Sequence, residues 1–270
     1  MKERILYQKI VDILATLDCE AYPEIEATLD GAISKDGDVF YDAYDLADEL
    51  CKADGAKLLP TEVATLIAEI FLEEIELGNV YAMTDFGSLY YTGRIGEQSY
   101  EKAVEYYTMA DRLGERQATE NLGYCYYYGR LGEVDYEKAF HYFVKGALDN
   151  HLNSLYKIGD MYRYGYYVDK DEAEAYRIYE HCYNQMTNYC AELIGADICK
   201  RMGDVYFYGI GTAVNYYLAL KYYQESERYF YGKIRDGDFF ARKGLCEVLE
   251  RLSEIREVLL RDLPRYEWVE

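Results

Sequence analysis

The spacing Gly-x-x-Tyr-x-x-Gly occurs four times, at Gly87/Tyr90/Gly93, Gly123/Tyr126/Gly129, Gly159/Tyr162/Gly165 and Gly203/Tyr206/Gly209, and it restricts the fold more than any other feature of the chain. The steps between first glycines are 36, 36 and 44 residues. Ten residues beyond each second glycine stands an alanine, Ala103, Ala139, Ala175 or Ala219, followed closely by Tyr106/Tyr107, Tyr142/Phe143, Tyr179 and Tyr222/Tyr223. Phe86 and Leu89, Leu122 and Cys125, Ile158 and Met161, and Met202 and Val205 join the repeated Tyr in a stripe of helical period. That stripe defines a first helix in every unit.

A glycine inside a helix costs about 1 kcal/mol relative to alanine, so its recurrence requires that a missing side chain be useful. A second helix is therefore expected to cross at the first glycine and to bring its alanine against the glycine backbone. The second glycine is expected to end the first helix in a left-handed cap. Ser99, Asp135, Asp171 and Asn215, four residues before each alanine, can accept hydrogen bonds from free N–H groups and are predicted N-caps of the second helix. Gly78, Gly114 and Asn150, again 36 apart, suit left-handed C-terminal caps. Neither helix can bury its stripe alone, so the units must stack on one another.

At these residues the chain resembles the Sel-one-like repeat (SLR) family, tetratricopeptide-related solenoids whose unit reads roughly A-x-x-x-L-G-x-x-Y-x-x-G-x-G-V-x-x-D-x-x-K-A-x-x-Y-Y. The resemblance covers roughly residues 78 to 231, and Ala82, Ala118, Lys102-Ala103 and Lys138-Ala139 fit it well. The loop departs: Arg94-Ile95-Gly96 and Arg130-Leu131-Gly132 replace Gly-Val, repeat three keeps Val168 without the inner glycine, and repeat four keeps Gly211 without the Val. The expected fold is an all-α, right-handed α-solenoid of stacked antiparallel helix pairs. The resemblance implies protein interaction, usually as an adaptor or regulator, and in some bacterial cases neutralisation of a secreted toxin.

Three prolines and no Pro/Ser-rich linker favour a continuous architecture. Residues 1–77 are expected to form an acidic helical region, either a cap or a degenerate repeat, with helices over 2–18, 24–34, 38–53 and 61–77, the last introduced by Pro60-Thr61-Glu62. Residues 78–237 hold the four repeats. Over 238–270, Phe239, Phe240, Leu245, Val248, Leu249, Leu252, Ile255 and Leu259 make an amphipathic capping helix with a tail behind it.

The net charge of -21 argues against nucleic acid, which requires positive potential along its phosphates. Residues 1–78 carry 19 acids against 6 bases, which solvates that region and would suit a basic partner. No stretch is apolar for long enough to span a membrane, and the first residues alternate charged and apolar in a way no secretory signal does. Seven cysteines without a Cys-x-x-Cys pair read as reduced thiols in a cytoplasmic protein.

Candidates for chemistry are few. The three histidines, His141, His151 and His181, form no His-Glu-x-x-His pair, and neither a P-loop nor a Gly-x-Ser-x-Gly elbow occurs. The spacing of His181, Cys182, Cys190 and Cys199 matches zinc ligation poorly, so no metal or cofactor is expected. In cysteine-rich secreted relatives, cystines sit near the positions of Cys182 and either Cys190 or Cys199. The equivalent positions in earlier units are Ala110/Thr119 and Gly146/Leu155, so that framework is absent here.

The family places first helices on the concave face of the solenoid. Positions three before, one after and four after the first glycine fall on one stripe that the core does not use. They are Thr84, Ser88 and Tyr91; Glu120, Tyr124 and Tyr127; Tyr156, Asp160 and Arg163; and Lys200, Asp204 and Phe207. This mixture of aromatic and charged side chains is the composition of an interface. The expected function is a non-enzymatic scaffold or adaptor that binds a peptide or protein there. One alternative is a bacterial immunity protein that neutralises a toxin. Another is a hydrolase or penicillin-binding enzyme of the kind suggested for cysteine-rich relatives, against which the lack of a nucleophile–base pair speaks.

Overall fold

Second helices start on the acceptors that the sequence supplies. In a computed structural model, which describes residues 2–33, 42–53, 58–238 and 241–261, Ser99 accepts from the Lys102 amide at 3.2 Å and Asp171 from the Glu174 amide at 2.8 Å. Asn215 accepts from the amides of Tyr217 and Leu218, both at 3.1 Å. Two first helices carry caps as well: Asn79 takes the Tyr81 and Ala82 amides, and Glu115 takes those of Gln117 and Ala118. Each such bond satisfies a donor that helix geometry leaves open.

The chain is all-α, with no strand among the described residues, and divides into two compact units. The first, Met1–Asp135, contains α1 (Lys2–Leu14), α2 (Pro23–Gly31), α3 (Ala43–Lys52), α4 (Thr61–Glu76), α5 (Val80–Thr92), α6 (Tyr100–Arg112) and α7 (Arg116–Tyr127). The second, Tyr136–Glu270, contains α8 (Tyr136–Leu148), α9 (Leu152–Tyr164), α10 (Glu172–Gln185), α11 (Asn188–Tyr208), α12 (Tyr216–Arg235) and α13 (Ala241–Arg261). The expected left-handed ends are present. Gly93, Gly129, Gly165 and Gly209 have φ of +74°, +62°, +73° and +73°, and Gly78, Gly114 and Asn150 have +86°, +86° and +60°.

The second helix crosses at the first glycine as expected, with the Ala103 carbonyl oxygen 3.2 Å from a methyl group placed at Gly87, but the nearest atoms belong to an aromatic ring. Ala103, Ala175 and Ala219 are buried, but what lies on the glycine is the aromatic ring four residues further on. A methyl group at Gly87 would stand 2.8 Å from Tyr107 Cε1, one at Gly159 2.7 Å from Tyr179 Cε1, and one at Gly203 2.5 Å from Tyr223 Cδ1. The alanine lets the helices approach; the ring, one turn along the same face, covers the bare backbone. Tyr223 cannot swing aside freely, because its hydroxyl donates to Asp204 Oδ1 at 2.7 Å. Gly203→Ala is therefore expected to destabilise by about 1–3 kcal/mol through overpacking, outweighing the gain of about 1 kcal/mol in helix propensity. Urea unfolding would check this, and a variant as stable as the parent would contradict it.

The 44-residue step has a local cause. α11 begins fifteen residues before Gly203, whereas α9 begins seven before Gly159, and the extra eight lengthen the helix by about two turns. α12 is correspondingly long, at 20 residues, and its Tyr229 covers Gly195 in the extension. The loop that departs from the family pattern also has a use. Arg94 donates to the carbonyls of Cys51 and Ala53 at the end of α3, and its own carbonyl accepts from Leu59.

α1 to α4 share one core with α5: Ile10, Ile25, Leu29, Leu46, Leu50, Ile67 and Phe71 are fully buried beside Phe86. Phe71 meets Phe86 edge-on at 6.0 Å between centroids. In α13, Leu245, Val248, Leu252 and Ile255 are buried against Ala219, Tyr223 and Phe230, while Leu249 is exposed. Phe239 and Phe240 lie outside the described residues, as do residue 34 of the expected second helix and residues 38–41 of the expected third.

Candidate functional site

The stripe read from the first helices separates into side chains that reach solvent and side chains that do not. Thr84, Glu120, Tyr156 and Asp160 are buried. Ser88, Tyr91, Tyr124, Tyr127, Arg163, Lys200, Asp204 and Phe207 are partly exposed.

In the first unit, the buried Thr84 hydroxyl donates to Glu115 Oε2 at 2.9 Å, and Ser88 Oγ lies 3.1 Å from the Tyr107 hydroxyl. Tyr91 accepts from Arg130 Nε at 2.9 Å. The same guanidinium sits 5.4, 5.2 and 5.5 Å from the ring centroids of Tyr91, Tyr100 and Tyr128. Burial pushes the Tyr91 phenol up, with Arg130 opposing. Tyr124 stacks on Tyr128 at 6.0 Å, and Tyr127 meets Tyr128 edge-on at 5.0 Å. A guanidinium among tyrosine rings gives this face charge and aromatic area together.

In the second unit Asp160 is the hub. Arg201 reaches it with Nε at 2.7 Å and a terminal nitrogen at 2.6 Å, Tyr179 donates at 2.8 Å, and Lys157 at 3.1 Å. Burial alone would raise this carboxyl, but the charges of Arg201 and Lys157, with the hydrogen bonds from Arg201 and Tyr179, hold it well below the ordinary carboxylate range. Burial, reinforced by Asp160, pushes the Tyr179 phenol up. Tyr156 lies under Arg201, 4.1 Å from guanidinium carbon to ring centroid. Asp204 repeats the pattern one unit on, accepting from Tyr223 at 2.7 Å and from Arg163 at 2.8 Å. Phe207 packs on Tyr216 and Tyr223.

Three of the expected site residues, Arg163, Lys200 and Asp204, come together in a cleft of about 270 Å³. Tyr164, Tyr208, Glu247 and Arg251 complete its walls, and none of these four was selected from the sequence. A signal existed for the tyrosines: Tyr128, Tyr164 and Tyr208 each precede a second glycine, and each is 50% exposed.

Three of the thiols are poor nucleophiles. Burial pushes Cys51, Cys125 and Cys182 up to about 12, so almost no thiolate exists at neutral pH. Cys182 and Cys199 are free thiols, and the Cys190 side chain lies outside the described residues. His141 points Nδ1 at the Glu137 carbonyl, 2.7 Å away on its own helix. Among the described residues no cluster of three or more His, Cys, Asp or Glu could hold a metal ion, and no helix is long and apolar enough to cross a membrane.

A family model for the Sel1 repeat matches residues 80–114, 116–151, 152–180 and 197–228. No curated protein sequence matches at a significant level. Among solved structures, a Sel1 repeat protein from Oxalobacter formigenes is 21% identical with a TM-score of 0.55, over 77% of this chain and 79% of that one. The protein c5321, described as a protective antigen present in uropathogenic Escherichia coli strains and displaying an SLR fold, is 19% identical with a TM-score of 0.53, over 84% of this chain and 52% of that one. This chain thus spans about half the length of the second relative, and at such identities the likeness is one of fold.

Proposed function

Because this chain belongs to the Sel1 repeat family, we propose that it is a protein-interaction scaffold that binds a peptide or protein segment along the first helices of its repeats and carries out no bond-making of its own. The observation that carries this reading is the recurrence of partly exposed aromatic and charged side chains at fixed places around the first glycine. In the first unit they are Tyr91, Tyr124 and Tyr127; in the second they are Arg163, Lys200, Asp204 and Phe207. Their stripe neighbours Glu120, Tyr156 and Asp160 are buried, and the reading leaves them out of the partner-facing set. Aromatic side chains held by neighbours lose little freedom on binding, which is why such residues dominate interface energetics.

The test is affinity capture from lysate of the native host with immobilised wild-type chain, alongside a Tyr124→Ala/Tyr127→Ala variant whose circular-dichroism melt is unchanged. Loss of two anchoring tyrosines is expected to weaken the captured partner at least about tenfold. Undiminished capture by the folded variant would place the interaction elsewhere.

A further inference from the structure

Arg94 and Arg130 stand at the same place in successive repeats, each directly after the second glycine, yet their guanidiniums meet different groups. Arg94 donates to the Cys51 and Ala53 carbonyls at the end of α3. Counted from the capping residues Ala53 and Gly93, the matching acceptors at the end of α5 are the carbonyls of Tyr91 and Gly93. Both are already taken: Gln98 Nε2 donates to the first at 3.0 Å, and the Gly96 amide donates to the second at 3.0 Å. Arg130 therefore bonds the Tyr91 hydroxyl through Nε alone, and both of its terminal nitrogens lack an acceptor among the described residues. No carboxylate among those residues pairs with it either. Glu97 is held by Lys102 at 2.9 Å, and Glu133, three residues along the loop from Arg130, makes no ion pair with it. The result is one unpaired positive charge, half-buried among the rings of Tyr91, Tyr100 and Tyr128.

We propose that the terminal nitrogens of Arg130 receive one acidic side chain of the partner segment, beside the Tyr124 and Tyr127 anchors. The proposal rests on the scaffold reading and adds a chemical requirement on what binds. A fork of two terminal nitrogens matches the two oxygens of a carboxylate, which gives two charge-assisted bonds at once. A neutral amide or carbonyl would satisfy the N–H groups but leave the charge unanswered. Phosphate is the poorer match, because it carries close to two charges and is gathered by clusters of arginines rather than by one. The tyrosines hold the guanidinium before the partner arrives, so little side-chain freedom is lost on binding. Tyr128, beside which Arg130 sits, also packs against Tyr124 and Tyr127, so the charge and the proposed anchors form one continuous surface. The net charge of -21 opposes an acidic group at long range, but at physiological ionic strength charges more than about 8 Å apart are largely screened. One acidic residue in an otherwise basic segment suits both this cation and the first 78 residues, with their 19 acids against 6 bases.

The experiment is an NMR titration of the full chain, read at the Arg130 Nε–H and Tyr91 signals, with N-acetylated, C-amidated Lys-Tyr-Glu-Tyr-Lys. The comparisons are its glutamine counterpart, the glutamine peptide with a free C-terminus, and inorganic phosphate. On the parent chain the glutamate peptide is expected to bind at least about tenfold more tightly than the amidated glutamine peptide. General attraction to an acidic chain predicts the opposite order, because the glutamine peptide is the more positive of the two. Arg130→Gln should abolish the preference, and Arg130→Lys, which keeps the charge without the fork, should retain only part of it. Equal binding of the two amidated peptides, a preference that survives Arg130→Gln, binding that needs only the free C-terminus, or phosphate acting at lower concentration than the glutamate peptide would each overturn the proposal. A native partner that Tyr124→Ala/Tyr127→Ala loses and Arg130→Gln retains would refute the role of Arg130 while leaving the scaffold intact.

Discussion

Asp160→Asn will destabilise the chain by about 3–5 kcal/mol, because asparagine fills the same space while removing the carboxylate that Lys157 and Arg201 share, and the Asp197 carboxylate lies only at 3.8 Å from Arg201. Lys157 is 4% exposed at the side chain and Arg201 15%, so water cannot replace the lost carboxylate. Tyr179 would keep an acceptor, which assigns the loss to charge and not to the hydroxyl bond. Adding Arg201→Met should recover part of the loss, because the second change removes one of the two cations that shared the carboxylate; a buried pair replaced by apolar groups is often neutral. Chemical unfolding of the two variants measures both effects. A cost under about 1 kcal/mol for Asp160→Asn would mean that the network is solvated in solution.

The same carboxylate gives the chain an acid limit. An unfolded aspartate titrates near 3.9, and the folded Asp160 is held well below that value, chiefly by Arg201 against the opposing effect of burial. Between the two values the unfolded chain binds a proton that the folded chain does not, so acid favours unfolding. The stability from Asp160 is complete above the unfolded value and disappears as pH falls toward the folded one. Melting temperature should therefore fall below about pH 4 in the parent, with a shallower acid arm in Asp160→Asn.

What the sequence made legible and what it hid follow from how far apart the interacting residues are. Caps and helix ends are local: Ser99 meets the Lys102 amide three residues on, and Gly93 needs only its own φ of +74°. Spacing alone reveals such features. The ring over each first glycine was half legible, because Tyr107, Tyr179 and Tyr223 recur at fixed distance, but only coordinates show the ring, rather than the alanine methyl, on the glycine. The burial of Asp160 was hidden, because Arg201 is 41 residues away and belongs to the next first helix. One periodic clue was available: Lys157 and Arg201 both stand two residues before a first glycine, and Asp160 and Asp204 both stand one after it. Opposite charges at recurring places on adjacent helices mark an interior ladder as readily as a binding face. The cleft needed α13 as well, whose Glu247 and Arg251 fall outside the repeat period altogether.

Gly211→Ala is expected to cost about 2–5 kcal/mol, and it separates two reasons for a loop glycine that sequence cannot tell apart. Gly211 has φ of +64°, a conformation that costs a residue with a Cβ about 1–2 kcal/mol. A methyl group there would also stand 2.3 Å from the Glu172 carbonyl oxygen and 2.8 Å from Ala173 Cα, which are backbone atoms at the start of α10 and cannot rotate away. That contact adds about 1–3 kcal/mol of overpacking. Gly96 and Gly132 share the positive φ, at +87° and +108°, but a methyl group at either meets nothing within 4 Å. Alanine at Gly96 should therefore cost only about 1–2 kcal/mol. The third repeat shows that the conformation alone does not demand glycine, because Tyr167, two residues after Gly165 as Gly211 is two after Gly209, adopts φ of +67°. Urea midpoints of Gly211→Ala and Gly96→Ala give the comparison. Equal losses would mean that the loop moves off α10 to admit the methyl group, and that the close approach there does not hold the two helix pairs of the second unit together.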